Sequence, residues 1–177
     1  MLTVIMECRD QEPELAHTLS TLVSGAVEGL VSDVIILDHG STDGSSRVAE
    51  AAGCRFETDW DMGQIIASAR GEWILLMEPG SRPQSGWIED IMEYTALNTR
   101  PARFAPSRHY RPSLLSRLTH RRRLLEYGLL LRKADALAMT QSSGRLGRIG
   151  LDIFLKGQKA RRLSAELIPA WALRRAS

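Results

Sequence analysis

The sequence predicts an α/β fold, a mainly parallel sheet with flanking helices, on three observations. Residues 2–8, 34–37 and 73–77 are apolar almost throughout, as strands covered on both faces are. Segments with apolar residues at helical spacing lie between them. That strand, helix, strand order favours parallel pairing through right-handed crossovers. The 177 residues fit a single domain with one ordinary core.

Taken in order, residues 2–8 (LTVIMEC) form the first strand, and RDQEP is the turn after it. Pro13 suits a first helical turn, and Leu15, Leu19, Leu22 and Val23 recur on one helical face that runs out near Gly25. Residues 34–37 form the second strand and put Asp38 at its carboxyl end, the rim where open α/β sheets bind ligands. Ser41 to Asp43 offer a helix cap, Val48, Ala49 and Ala52 a small apolar face that stops at Gly53, and residues 54–57 (CRFE) a third strand. A short helix is predicted over 63–70, closed by Gly71. Residues 73–77 (WILLM) then form a second wholly apolar strand, ending in Glu78 and the breaker cluster PGSRP. Trp87, Ile88, Ile91, Met92 and Tyr94 mark an amphipathic helix. Beyond residue 100, Phe104 is assigned to a short strand, 114–125 to a basic amphipathic helix, 128–131 to a strand, and 152–155 to a helical turn closing at Gly157.

Composition narrows the class. A hydrophobic content of 44% with 25% charged residues is that of a soluble globular protein. No apolar run approaches the roughly 20 residues of a membrane-spanning helix, and MLTVIMECRD lacks the features of a signal peptide, so a cytoplasmic location is expected. Cys8 and Cys54 fall in separate strand contexts, which favours reduced thiols over a disulfide or metal site. Charge is divided unevenly. Residues 1–100 hold 6 Arg, no Lys and 17 Asp/Glu, whereas residues 101–177 hold 17 Lys/Arg and 4 Asp/Glu. This polarity can hold one half on the other, attract an anionic partner, or both. Aromatic residues make up only 6% of the chain and offer no stacking platform, so nucleic acid is not an expected partner.

Two acids, Asp38 and Glu78, end two buried strands, each before a turn. Carboxylates accept hydrogen bonds, which suits a ribose diol or a uracil N–H, and helix starts nearby favour phosphate. An acid at such a turn also serves as a local cap with no ligand at all.

The combination of VIILDHGSTDGS with the later ARGEWILLMEPGSRP resembles family 2 glycosyltransferases of the GT-A fold. Their pattern has a strand ending in Asp-Asp-Gly-Ser-Thr-Asp, then Ala-x-Gly-Glu-Tyr-Ile and a strand ending in Asp-x-Asp. The resemblance covers roughly residues 1–100. It implies a GT-A, Rossmann-like, nucleotide-diphospho-sugar transferase architecture in which 1–100 is the nucleotide-binding half and 101–177 a basic, acceptor-side half. Glu7 and Arg9 would line the base pocket, with Asp38, His39, Gly40, Ser41 and Glu78 completing the nucleotide site. His39 stands where the family has a second acid. A Mg²⁺ or Mn²⁺ ion would be held through Glu78, although Gly80 occupies the position of the second acid of Asp-x-Asp. The general base for an inverting transfer would be Asp152 or Glu126, and as a bland alternative Asp152 caps the turn it begins.

Basic residues could also neutralise a departing diphosphate: Arg121, Arg122, Arg123, Arg132 and Lys133 are the candidates. The first three equally suit a solvated helix face, or peripheral contact with an anionic membrane at about 1 kcal/mol per basic residue. A catalytically inactive nucleotide-binding or interaction module on the same fold is the alternative function. His39, Gly80 and the lack of a Glu-Asp pair motivate it.

Overall fold

The computed structural model describes residues 1–110, 125–142, 150–155 and 159–173. Its centre is made by strands that have no polar face to show to water. β1 (Leu2–Cys8), β2 (Val31–Asp38) and β4 (Trp73–Met77) lie side by side, with β3 (Arg55–Glu57) at the edge. Successive side chains alternate between two covers. Val4, Met6, Ile36, Leu75 and Met77 pack on one face with Leu15, Leu19 and Leu22 of α1 (Glu12–Val27), Ala49 of α2 (Ser45–Ala51) and Trp87, Ile88 and Ile91 of α4 (Trp87–Leu97). Ile5, Ile35, Leu37, Ile74 and Leu76 pack on the other with Ile65 and Ile66 of α3 (Met62–Ser68), Ala136 of α5 (Lys133–Ser142) and Phe154 of a 3₁₀ turn, Leu151–Leu155. Each fully buried Leu, Ile or Met contributes about 1.5–3 kcal/mol from removal of apolar surface from water.

The remaining strands are β5 (Arg82–Pro83), β6 (Ala102–Pro106), β7 (Leu129–Arg132) and β8 (Arg161–Ile168), and a last short helix, α6, spans Ala170–Leu173. Among the described residues the sheet has eight strands in the order β3-β2-β1-β4-β7-β6-β8-β5. The first four are mutually parallel, β7 runs antiparallel to both β4 and β6, β6 and β8 are parallel, and β5 is antiparallel to β8. The sheet is therefore mixed, with its parallel part where the apolar runs predicted it.

Several boundaries differ from expectation for local reasons. β2 begins at Val31, because the Gly29–Leu30 turn brings the chain back beside β1 and Leu30 O accepts a hydrogen bond from Leu2 N at 2.8 Å. α2 begins at Ser45 with Gly44 at the cap position, and of the expected cap residues Asp43, one position earlier, accepts from Ser45 N, the first N–H of the helix, at 3.0 Å. α3 is capped by Asp61, whose carboxylate accepts from Gln64 N at 2.9 Å. The expected basic helix over 114–125 lies outside the described residues except for Leu125, which sits in a turn.

The glycine of ARGEW has a packing role. Gly71 N donates to Thr3 Oγ1 at 2.8 Å, and a Cβ on Gly71 would lie 2.5 Å from the Thr3 backbone nitrogen. Thr3 Oγ1 also donates to Asp33, so the starts of β1 and β2 and the entry to β4 share one buried polar knot. Any side chain at position 71 pushes the entry to β4 away from its central partner.

Candidate functional site

β1 and β2 end side by side, and the loops that follow them are joined by hydrogen bonds. Asp38 is only 3% exposed. Its carboxylate accepts from Gly40 N at 3.0 Å, from Ser41 N at 3.0 Å and from the Ser41 hydroxyl. Asp10, at φ +49°, donates its N–H to Ser41 Oγ at 2.9 Å and accepts from Thr42 N at 2.7 Å. Asp43 accepts from Glu12 N at 2.9 Å and from Ser45 N at 3.0 Å. Burial alone would raise its carboxyl pKa, but these hydrogen bonds outweigh that and hold it below the usual value. Glu12 in turn accepts from Gly44 N at 2.9 Å, and a Cβ on Gly44 would sit 2.3 Å from the Glu12 carboxylate. The GSTDGS segment thus ties two loops together, each hydrogen bond adding about 0.5–1.5 kcal/mol. Of this loop, His39 is the residue that lines the neighbouring cleft.

The sheet order places a switch point between β1 and β4, because β2 and β3 build to one side of β1 and β4 lies on the other. Ligands of open α/β sheets bind beyond the carboxyl ends of strands at such a point. A cleft of about 260 Å³ lies there. Glu7, Cys8, Arg9 and Gln11 line it from β1, His39 from β2, Met77, Glu78 and Pro79 from β4, and Leu125 from the turn before β7. His39 Nε2 is 3.8 Å from Glu7 Oε1, and its ring stands edge-on to buried Trp60 with centroids 5.1 Å apart. Burial pushes the Cys8 thiol up in pKa against opposing hydrogen bonds from Ser45 and Ser41, so it faces the cleft as a neutral thiol.

Glu7 reaches across the fold. Its Oε1 accepts from Leu151 N at 2.7 Å, which fixes the 3₁₀ turn carrying Asp152 to the end of β1. A Cβ on Gly150 would meet Glu7 Oε1 at 3.0 Å and Asp152 Oδ1 at 3.2 Å, so both carboxylates border the space that glycine leaves open. Glu126 is differently placed: its Oε1 accepts from Trp171 Nε1 at 2.8 Å and from the Tyr127 hydroxyl at 3.1 Å. Of the site residues expected from sequence, Glu7, Arg9, His39 and Glu78 share the cleft and Asp152 borders Glu7. Asp38, Gly40 and Ser41 form the loop behind His39. Sequence reasoning missed Gln11, Leu125 and Trp60; an isolated Trp in the polar stretch TDWDM was the one available signal for the last.

Arg132 and Lys133 stand at the other end of the sheet. Arg132 pairs in register with Trp73 at the start of β4 and is held by Asp135 at 2.9 and 3.0 Å. Lys133 Nζ donates to Ala67 O at 2.8 Å and Ala69 O at 2.7 Å. Neither reaches the cleft, which corrects their candidacy for neutralising a diphosphate. Arg121, Arg122 and Arg123 lie outside the described residues.

The position of the second acid of Asp-x-Asp is closed by the fold. Gly80 is buried at φ +95°, its N–H donates to Thr18 Oγ1 at 2.7 Å, and a Cβ there would sit 3.2 Å from Glu14 Cγ and 3.3 Å from Ala170 Cβ. A side chain at this position would point at α1 and α6. A hard divalent cation takes about six oxygen ligands in octahedral geometry. Among the described residues no group of three or more His, Cys, Asp or Glu is arranged to hold one. The residues present do not fit the paired-acid metal site that the resemblance implies.

No protein-family model matches this chain, and no curated protein does. Solved structures do match. Glucosyl-3-phosphoglycerate synthase from Mycobacterium tuberculosis, in complex with Mn²⁺, UDP-glucose and phosphoglyceric acid, superposes with a TM-score of 0.55 at 16% identity, over 76% of this chain and 57% of that one. The chain folds as a GT-A domain. Mannosyl-3-phosphoglycerate synthase from Rubrobacter xylanophilus gives a TM-score of 0.55 at 12% identity, over 75% of this chain and 53% of that one. Identities this low establish the GT-A fold alone. The chain spans little more than half the length of these structures. Among its described residues no helix is long and apolar enough to cross a membrane.

Proposed function

We propose that the GT-A cleft at the β1/β4 switch point binds a nucleotide-diphospho-sugar and that the protein transfers the sugar to an acceptor hydroxyl with inversion. The observation that carries the reading is the convergence of Glu7, Arg9, His39 and Glu78 on one cleft beyond the central strands, with Asp152 brought beside it by the Glu7–Leu151 hydrogen bond. The GT-A neighbours were solved with UDP, UDP-glucose, Mn²⁺ or Mg²⁺, which supports a nucleotide sugar as the ligand class.

In this reading the nucleotide lies across the ends of β2, β1 and β4. The acceptor oxygen attacks the anomeric carbon from the face opposite the leaving diphosphate. Asp152 takes the hydroxyl proton as the new C–O bond forms and the bond to the diphosphate oxygen breaks. Asp152 suits that role better than Glu126, whose carboxylate already accepts from Trp171 and Tyr127. A second reading, a non-catalytic nucleotide-binding module, is favoured by one observation: the acids of the HGSTDGS loop and its neighbour are used to hold the two loops together.

The test is thermal unfolding against a panel of nucleotide sugars, with release of nucleoside diphosphate measured in parallel in the presence of a panel of hydroxyl acceptors. A bound nucleotide sugar at a hundredfold excess over its Kd raises the unfolding temperature by on the order of 5–10 °C. Asp152→Asn is expected to keep that stabilisation and lose product release. Stabilisation without release in the wild type supports the non-catalytic module, and the absence of any shift rejects nucleotide binding.

A further inference from the structure

Resting on the nucleotide-sugar reading above, we propose that Arg9 is the diphosphate ligand of the cleft and that nucleotide binding does not require a divalent cation. The metal side of the cleft lacks a second acid. Gly80 cannot be replaced by an acid directed at the cleft, because its positive φ and its contacts with Glu14 and Ala170 turn position 80 into the protein. Asp38 is also withdrawn, since its two oxygens are taken up by three donors of its own loop. Glu78 is left as the carboxylate at the β4 end of the cleft.

A diphosphate entering this cleft brings negative charge to a lining that already holds the carboxylate of Glu7. Something in the lining must supply positive charge. Arg9 is the one Arg or Lys among the described lining residues, it follows the strand that lies between β2 and β4, and it forms no ion pair with another described residue. His39, the other nitrogen base of the lining, lies against Glu7 and Trp60. A guanidinium bonds two phosphate oxygens at once, keeps its charge at every working pH, and is less strongly hydrated than an ammonium, so it loses less on leaving water. The backbone holds it in place: Arg9 is followed by Asp10 at φ +49°, whose N–H and carboxylate are fixed by Ser41 and Thr42, so the interlocked loops set the position from which the side chain extends. On this assignment Arg9 serves the phosphates rather than the base.

Calorimetric titration of UDP, GDP, ADP and CDP into the wild type and into Arg9→Gln and Arg9→Lys, each with EDTA and with excess Mn²⁺, tests the proposal. The exposed position of Arg9 leaves folding of the variants intact, which an unchanged unfolding temperature checks. The expected result is wild-type binding of at least one diphosphate with equal affinity in EDTA and Mn²⁺. Arg9→Gln should weaken it about tenfold or more, and Arg9→Lys by less, in proportion to the loss of one charge-assisted bond or of the bidentate geometry alone. Wild-type binding that appears only with Mn²⁺, or Arg9→Gln binding as well as the wild type, overturns the inference and leaves the nucleotide-binding reading standing. Absence of binding to all four diphosphates under both conditions overturns the two together.

Discussion

Replacing Gly80 by Asp restores the second acid of the Asp-x-Asp pattern in sequence, yet the structure predicts that it destabilises the protein and creates no metal site. At φ +95° a residue with a Cβ is strained, at about 1–3 kcal/mol. The new Cβ sits 3.2 Å from Glu14 Cγ and 3.3 Å from Ala170 Cβ, closer than ordinary contact, and overpacking of this kind costs about 1–3 kcal/mol. The carboxylate also enters a buried corner beside Glu14 and Thr18, which disfavours its charged form. Strain and overpacking together come to about 2–6 kcal/mol, or on the order of 5–20 °C in unfolding temperature for a chain of this size. Gly80→Ala carries the same strain without the charge and should lose less. Circular dichroism melting of the two variants measures the cost, and Mn²⁺ titration of Gly80→Asp with UDP present measures any gain. A Gly80→Asp protein that melts with the wild type, or that acquires Mn²⁺-dependent UDP binding, would refute the placement of position 80.

Two further outcomes follow from the same geometry. Asp38→Ala leaves the Gly40 and Ser41 donors without their acceptor and should cost about 2–4 kcal/mol in urea unfolding; unchanged stability would mean that the loop is not held as described. Burial pushes the Cys54 thiol up to about 11, so a reagent specific for thiolates should label it slowly at neutral pH and about tenfold faster for each pH unit up to that value, whereas a rate that levels off near pH 8 would contradict its burial.

The parallel core was legible because β1 and β4 carry no polar residue that could face water except at their ends; both were expected with the bounds observed. Other elements escaped for physical reasons. α5, KADALAMTQS, has one fully buried apolar side chain among its described residues, Ala136, with Leu137 and Met139 only partly buried against the same core, a contact too small to read from local sequence. β8, RRLSAELI, buries Leu163, Ala165 and Leu167 at a period of two, but its charged partners obscured that alternation. β5 is two residues in a Pro- and Gly-rich turn and exists as a strand only through β8.

The site divides the same way. That Asp38 and Glu78 end strands could be read from local sequence. The direction of a carboxylate could not, because its partners are distant: Glu7 is tied to Leu151, and the HGSTDGS loop to Asp10 and Glu12. The motifs behind the family resemblance therefore serve largely to build the fold, with Gly71 packed on β1 and GSTDGS joining two loops, and the proposed chemistry rests on the few side chains they hold at the cleft.

On the proposed function a nucleotide occupies the cleft at the β1/β4 switch point. Backbone amide NMR during titration with UDP addresses it directly. Shifts concentrated at residues 7–11, at His39 and at Met77 and Glu78, with a secondary response at Leu151 through Glu7, are the predicted result. Shifts centred instead on Arg132 and Lys133 at the opposite rim, or no shift at saturating nucleotide, would contradict it.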